Sequence, residues 1–149
     1  SARFLETDGD LKEVTTALLT SDEAWSPSRS KLKRPSEWIV SALRAVGAQP
    51  ESGILVTEAQ NVLGEPLWHP PEPKGFSDQS AEWTDGIAER LDIASNASQR
   101  LLLPARPADV LDQTLGPLAS GETRKTIDRA ADGAQALALL FMATEFQMR

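Results

Sequence analysis

The sequence predicts an all-α protein, a compact irregular bundle of about six or seven helices with a proline-rich extended strap. Three observations carry this prediction. Apolar residues recur at three-, four- and seven-residue intervals in one segment after another, as the buried face of a helix requires. Runs alternating apolar and polar, the period of a half-buried strand, are missing, and Val, Ile, Thr, Tyr and Phe are sparse outside the helical stripes. Several segments also open on Pro or close on Gly, the asymmetry of helix termini.

In "DGDLKEVTTALL" Asp10 precedes Leu11, Val14 and Leu18 at helical spacing, and Glu13 stands three residues after Asp10 as in a capping box. A helix over 11–20 follows, with those apolar residues inward. Ser21 caps a short turn ending near Trp25, and a polar, basic and exposed connection then runs to Pro35. Pro35 suits a first helical turn, where its missing N–H costs nothing; Trp38, Ile39, Ala42, Leu43 and Val46 form one stripe before Gly47 ends the helix. The segment "GILVTEAQNVLG" repeats the design, with Leu55, Ala59, Val62 and Leu63 on one face and Gly64 as the stop, although the β-branched residues at its start leave a strand over 54–57 as an alternative. Trp83, Ile87, Leu91, Ala94 and Leu101 then mark a helix over 82–102 closed by Pro104. Pro107 opens a short helix with Val110, Leu111 and Leu115 inward and Gly116-Pro117 as terminator. Two further helices meet near Gly133, the second apolar nearly all round and so predicted at the centre of the bundle.

The 149 residues suit a single helical domain over 1–149, which at this size buries about 68–70% of its unfolded surface. With 22 acidic against 15 basic residues, the net charge of −7 opposes non-specific binding to nucleic acid or to an anionic membrane surface. The absence of cysteine excludes thiolate catalysis, disulfides and cysteine zinc sites. The longest nearly apolar run, 134–143, falls short of the roughly 20 residues a membrane span needs. The opening "SARFLETDGD" reads like the middle of a longer polypeptide.

Several stretches in fixed order, "LLTSDEAW", "KLKRPSEWIVSALRAVG", "LGEPLWHPPEPKGF", a Trp-led helix with "ERL", and "LLFMATEFQMR", resemble the C-terminal third of a bacterial family, domain of unknown function 1800. The family pattern has Gly-Trp-Pro where this chain has Gly75, Phe76 and Ser77, and Ser-Pro-Glu-Phe at Ala143, Thr144, Glu145 and Phe146. The resemblance implies a mostly helical, longer parent protein, commonly exported to the periplasm or beyond and often encoded beside a second exported protein. It carries no established reaction. A protein partner is thus expected, either the rest of the parent chain or the co-encoded protein.

The stretch "LGEPLWHPPEPKGF" holds four of the ten prolines, the only histidine and one of the four tryptophans. Pro66, Pro70, Pro71 and Pro73 forbid a helix and favour an extended strap, which Trp68 and Phe76 would anchor to the helices. The same stretch offers Trp68, His69 and Lys74 as binding residues. His69 with Glu65, Glu72 or Asp78 is a thin donor set for zinc, so neither metal nor cofactor is predicted. The run "SRSKLKR" supplies Arg29, Lys31, Lys33 and Arg34, either a solvated loop or a site for a polyanion or glycan. Its two Ser-x-x-Lys matches lack the companion motifs of penicillin-binding enzymes. Glu6, Asp8, Asp10 and Glu13 fit helix capping better than a calcium loop, because Leu11 stands where that loop turns on glycine. Glu82, Asp85, Glu89 and Asp92 fit a solvated helix face with Arg90 as a local partner. No hydrolase elbow, dinucleotide fingerprint or phosphate loop occurs. The sequence therefore points to an interaction or scaffold module, with part of an enzyme site built from His69, Lys74 or Glu89-Arg90 as the rival.

Overall fold

A computed structural model describes residues 2–25, 31–49, 53–100 and 106–149. The helices are α1 (Ala2–Glu6), α2 (Leu11–Leu19), α3 (Pro35–Ala45), α4 (Ile54–Val62), α5 (Ile87–Arg100), α6 (Pro107–Thr114), α7 (Gly121–Asp128), α8 (Gly133–Met142) and α9 (Thr144–Gln147). Single 3-10 turns lie at Asp22–Trp25, Ser80–Trp83 and Gly116–Leu118. The all-α class holds: the β-type pairing among the described residues is an isolated antiparallel bridge between Leu32 and Met148. Ile54 begins a helix, not the alternative strand. Two helices beyond the seven predicted, α1 and α9, are five and four residues long, too short for a period to register.

The core is built around α8, whose apolar surface on all sides lets α5, α6, α7 and α9 pack against it. Leu137 and Leu140 are completely buried, and Ala136 and Phe141 nearly so. Each of the two leucines and Phe141 contributes about 1.5–3 kcal/mol through removal from water. Val110, Leu111 and Leu115 of the α6 segment face inward as predicted, and Trp38 and Ile39 close the core from α3. Helix starts follow the sequence signals. Asp10 accepts from the Lys12 and Glu13 amides at 2.9 and 3.2 Å, Ser120 from Thr123 N at 3.1 Å, and Asp132 from Gln135 N at 2.8 Å.

Four expectations are corrected. No residue of α1 or α2 is buried; Leu11 and Leu18, expected inward, are 73% and 64% exposed. The hairpin closes locally instead, with Gly9 at φ +80° letting the Phe4 ring approach to where a Cβ would stand 3.2 Å away. On α4, Gln60 and Leu63 are buried while Leu55 and Val62 stay exposed. The predicted helix over 82–102 is interrupted: Trp83 ends a 3-10 turn, its indole Nε1 donating to Ser77 O at 3.1 Å, and α5 begins afresh at Ile87. Residues 101–102 lie outside the described residues, Leu101 with them. On α5 itself the buried line is Arg90, Ala94 and Ser98, and Leu91 is half-exposed. Small residues at 94 and 98 let α5 approach α8 closely, which a leucine line would prevent.

The fourth correction concerns the connections. The loop 66–75 does not run extended but folds into two tight turns, closed by His69 N to Pro66 O at 3.2 Å and Gly75 N to Glu72 O at 2.9 Å. Trp68 takes φ +64° in the first, at the turn position that favours Gly or Asn, and is 86% exposed. It does not anchor the loop. Phe76 does, half-buried with its ring 6.3 Å from that of Trp83. Conversely, the basic connection expected to be solvated is packed over 32–34, where Leu32 is buried and Lys33 and Arg34 are half-buried, while Lys31 is exposed as expected.

Candidate functional site

The basic segment 31–34 becomes structured by pairing with the chain's last residues. Lys33 N donates to Gln147 O at 2.8 Å, and Arg149 N to Lys31 O at 2.8 Å, on either side of the Leu32–Met148 bridge. Ser80 Oγ accepts from Leu32 N at 2.9 Å, tying the turn before α5 to the same segment. Pro35 can then open α3 with Glu37 reaching back to Arg34 N at 2.9 Å.

Beneath this pairing lies a buried polar knot. Arg90 is 1% exposed; its Nη1 donates to Gln147 Oε1 and its Nη2 to Lys33 O, both at 2.6 Å. The guanidinium carbon lies 5.6 Å from the Trp38 ring centroid. Trp38 Nε1 and Gln147 Nε2 both donate to Phe141 O at 3.0 Å, so the end of α8 is held from two sides. Glu65, 5% exposed, accepts from Ser36 N at 2.7 Å and faces Arg34 at 3.7 Å. Burial lowers the Arg90 pKa, and the charge of Glu65 works in the opposite direction. One α5 cation thereby joins the segment before α3 to the chain's last turn.

The predicted site residues separate into three groups. Lys33 and Arg34 belong to the packed segment: Lys33 Nζ donates to Phe146 O at 2.7 Å and stands 4.5 Å from the Phe146 ring centroid. Arg29 lies outside the described residues, as do the serines of the two Ser-x-x-Lys matches. Trp68 and His69 sit on the exposed turn, His69 Nδ1 within 2.8 Å of Leu67 O. Lys31 and Lys74, distant in sequence, line one open cleft of ≈ 710 Å³ together with Phe76, Ser77, Asp78, Gln79 and Ser80.

Charges around this cleft are paired loosely. Lys31 Nζ bonds Asp78, Arg149 Nη2 bonds the other Asp78 oxygen at 2.9 Å, and Lys74 Nζ reaches Glu72 at 2.8 Å with both side chains more than half exposed. The Lys31 hydrogen bond and charge, with Arg149 adding to them, hold the Asp78 carboxyl below its usual range.

The groups considered for catalysis do not converge. Arg90 is spent inside the knot, so it is not the surface partner of Glu89 that the sequence suggests, whereas Glu82, Asp85, Glu89 and Asp92 are exposed. Glu65, a candidate companion of His69, is turned into the knot, and the described residues contain no cluster of three or more His, Asp or Glu poised as metal ligands. Sequence reasoning missed Glu65 and Gln147 as structural groups. Arg90 left one signal, its place four residues before Ala94 and eight before Ser98.

A second feature lies at the other end of the chain. Along α1, α2 and the turn that follows, Phe4, Leu5, Leu11, Leu18, Leu19 and Trp25 are all more than half exposed. Trp25 Nε1 donates to Leu19 O, which fixes the indole against the hairpin while leaving it 73% exposed. A different apolar groove, of ≈ 390 Å³, runs between α5 and α8 past Leu91, Ala138, Leu139 and Met142. Among the described residues no helix is long and apolar enough to cross a membrane.

The chain belongs to the family described as protein of unknown function (DUF1800), whose model matches residues 1–148. Neither a curated protein nor a solved structure matches it.

Proposed function

We propose that this member of the family is a helical interaction module, in which the α3–α9 bundle is a rigid base and the α1–α2 hairpin presents an apolar docking face. The observation that carries the reading is the contrast in burial: no residue of α1, α2 or the Asp22–Trp25 turn is buried, yet six large apolar side chains lie there exposed. Isolated exposed apolar residues are ordinary; a group of this size on one short segment is the mark of a contact surface. The occupant we favour is the polypeptide that precedes this segment in longer members of the family, as the resemblance implies. Export is carried by the same resemblance, and secretion of a full-length member fused to a periplasmic reporter tests it.

The docking test uses the preceding portion of a full-length member, expressed separately and titrated against this chain. Stoichiometric association with a blue shift of the tryptophan emission is expected, and Leu18→Asp with Trp25→Ser abolishes it. Association that survives both substitutions, or a chain that self-associates through this face in sedimentation, rules the reading out. The rival, part of an enzyme site using His69, Lys74 or Glu89-Arg90, gains no support from residues so dispersed.

A further inference from the structure

We propose that the open cleft between the Lys31 segment and residues 74–80 is a binding site for an acidic sugar, a hexuronate-type unit that presents a carboxylate beside a row of hydroxyls. The cleft has three elements such a ligand needs. Its first is a cation able to change partners: Lys31 and Lys74 stand at the lining, and Arg149 Nη2 bonds Asp78 at 2.9 Å. Three carboxylates, Asp78, Glu72 and Glu37, balance these three cations, Glu37 meeting Arg149 Nη1 at 3.1 Å, so the ligand's carboxylate must replace one of them. Among the described residues Lys74 pairs with a neighbour two residues away, with 73% of its side chain exposed, so it can exchange Glu72 for an incoming carboxylate without disturbing the bundle.

A second element is hydrogen-bonding groups matched to hydroxyls. The Gln79 side chain is exposed, and Asp78, kept ionised by Lys31 and Arg149, is a fixed acceptor. The third is an aromatic wall. Phe76, propped against Trp83, gives the cleft an apolar face of the kind on which the C–H side of a sugar ring rests. A volume of ≈ 710 Å³ with a wide mouth suits a solvated ring that is part of, or cut from, a chain. Among the described residues of the basic run before α3, Lys31 takes part, while Lys33 and Arg34 are engaged internally. The site is independent of the α1–α2 face, and the failure of either leaves the other standing.

The experiment titrates a short oligogalacturonate, its fully methyl-esterified counterpart and free galacturonate into the labelled chain while following backbone amide resonances. The acidic oligomer is expected to shift the amides of residues 76–80, and Lys74→Glu to weaken it about tenfold or more, the loss of one charge-assisted hydrogen bond. Lys125→Glu, an exposed cation on α7, leaves binding within about twofold, a difference well under 1.4 kcal/mol. Binding by free galacturonate assigns recognition to a single sugar; binding by the oligomer alone assigns it to a polymer segment. No shift at 76–80, equal binding of the methyl ester, or equal weakening by Lys125→Glu overturns the proposal. Unchanged thermal unfolding of Lys74→Glu shows that the fold is intact.

Discussion

Residues 31–34 and residues 66–75 are both irregular connections, one rich in charge and the other in proline and aromatic residues, and they end in opposite environments. Composition sends the first to solvent and the second to the core. In the structure the charged segment lies against the chain's last residues with Leu32 buried, while the turn at Trp68 stands in water. The difference lies in backbone partners. Residues 31–33 give and receive main-chain hydrogen bonds across to 147–149, and Lys33 O meets a buried guanidinium. Among the described residues, the main chain of 66–75 bonds within its own tight turns, because proline removes four of the donors a docked strap would need. Where a charged loop goes is thus decided by whether its backbone finds a partner, and its side chains then adapt, as Lys33 does by setting its ammonium over the Phe146 ring.

The sharpest way to break this contrast is to remove Arg90. Arg90→Ala leaves two buried acceptors, Gln147 Oε1 and Lys33 O, without their donor, and is expected to cost about 2–5 kcal/mol, read as a fall in the urea midpoint. Lys33→Ala removes a hydrogen bond to Phe146 O and a cation above its ring, and is expected to cost about 1–2 kcal/mol in the same measurement.

Acid sharpens the comparison. Asp78 is held low by Lys31, and Glu145 is held low because hydrogen bonds from Ser120 N and Thr123 outweigh the upward effect of its burial. A depressed folded value means that each carboxylate stabilises the fold at pH above its unfolded value, and that the contribution disappears as pH falls through the folded one. Stability is therefore expected to decline below the ordinary carboxylate range, with a shallower slope in Glu145→Gln. The smallest effect belongs to the proline loop. Trp68→Ala is expected to stay within about 0.5 kcal/mol of the parent in thermal unfolding, and Trp68→Gly to match or exceed it, since glycine accepts the positive φ without strain.

Much of the bundle was legible because helix periodicity and terminal residues are local signals: α3, α6 and α8 start at Pro35, Pro107 and Gly133. What was not legible depends on packing between distant segments. Amphipathic spacing in α2 identifies a face but not whether anything covers it, and Leu11 and Leu18 remain wet. On α5 the apolar stripe through Leu91 competed with a line of Arg90, Ala94 and Ser98, and close approach to α8 selected the second. Of the candidate site, the sequence named Lys31 and Lys74, and only the fold brings them to one cleft.

The central claim, that segment 31–34 is part of the core assembly while the proline loop is not, is tested most directly by native-state hydrogen exchange at two amides. Lys33 N, bonded to Gln147 O, is expected to exchange only through global unfolding, with its rate following the denaturant midpoint; His69 N, bonded to Pro66 O within its own turn, exchanges through local opening many times faster. Equal protection of the two, or a Lys33 amide that exchanges independently of global stability, contradicts the account.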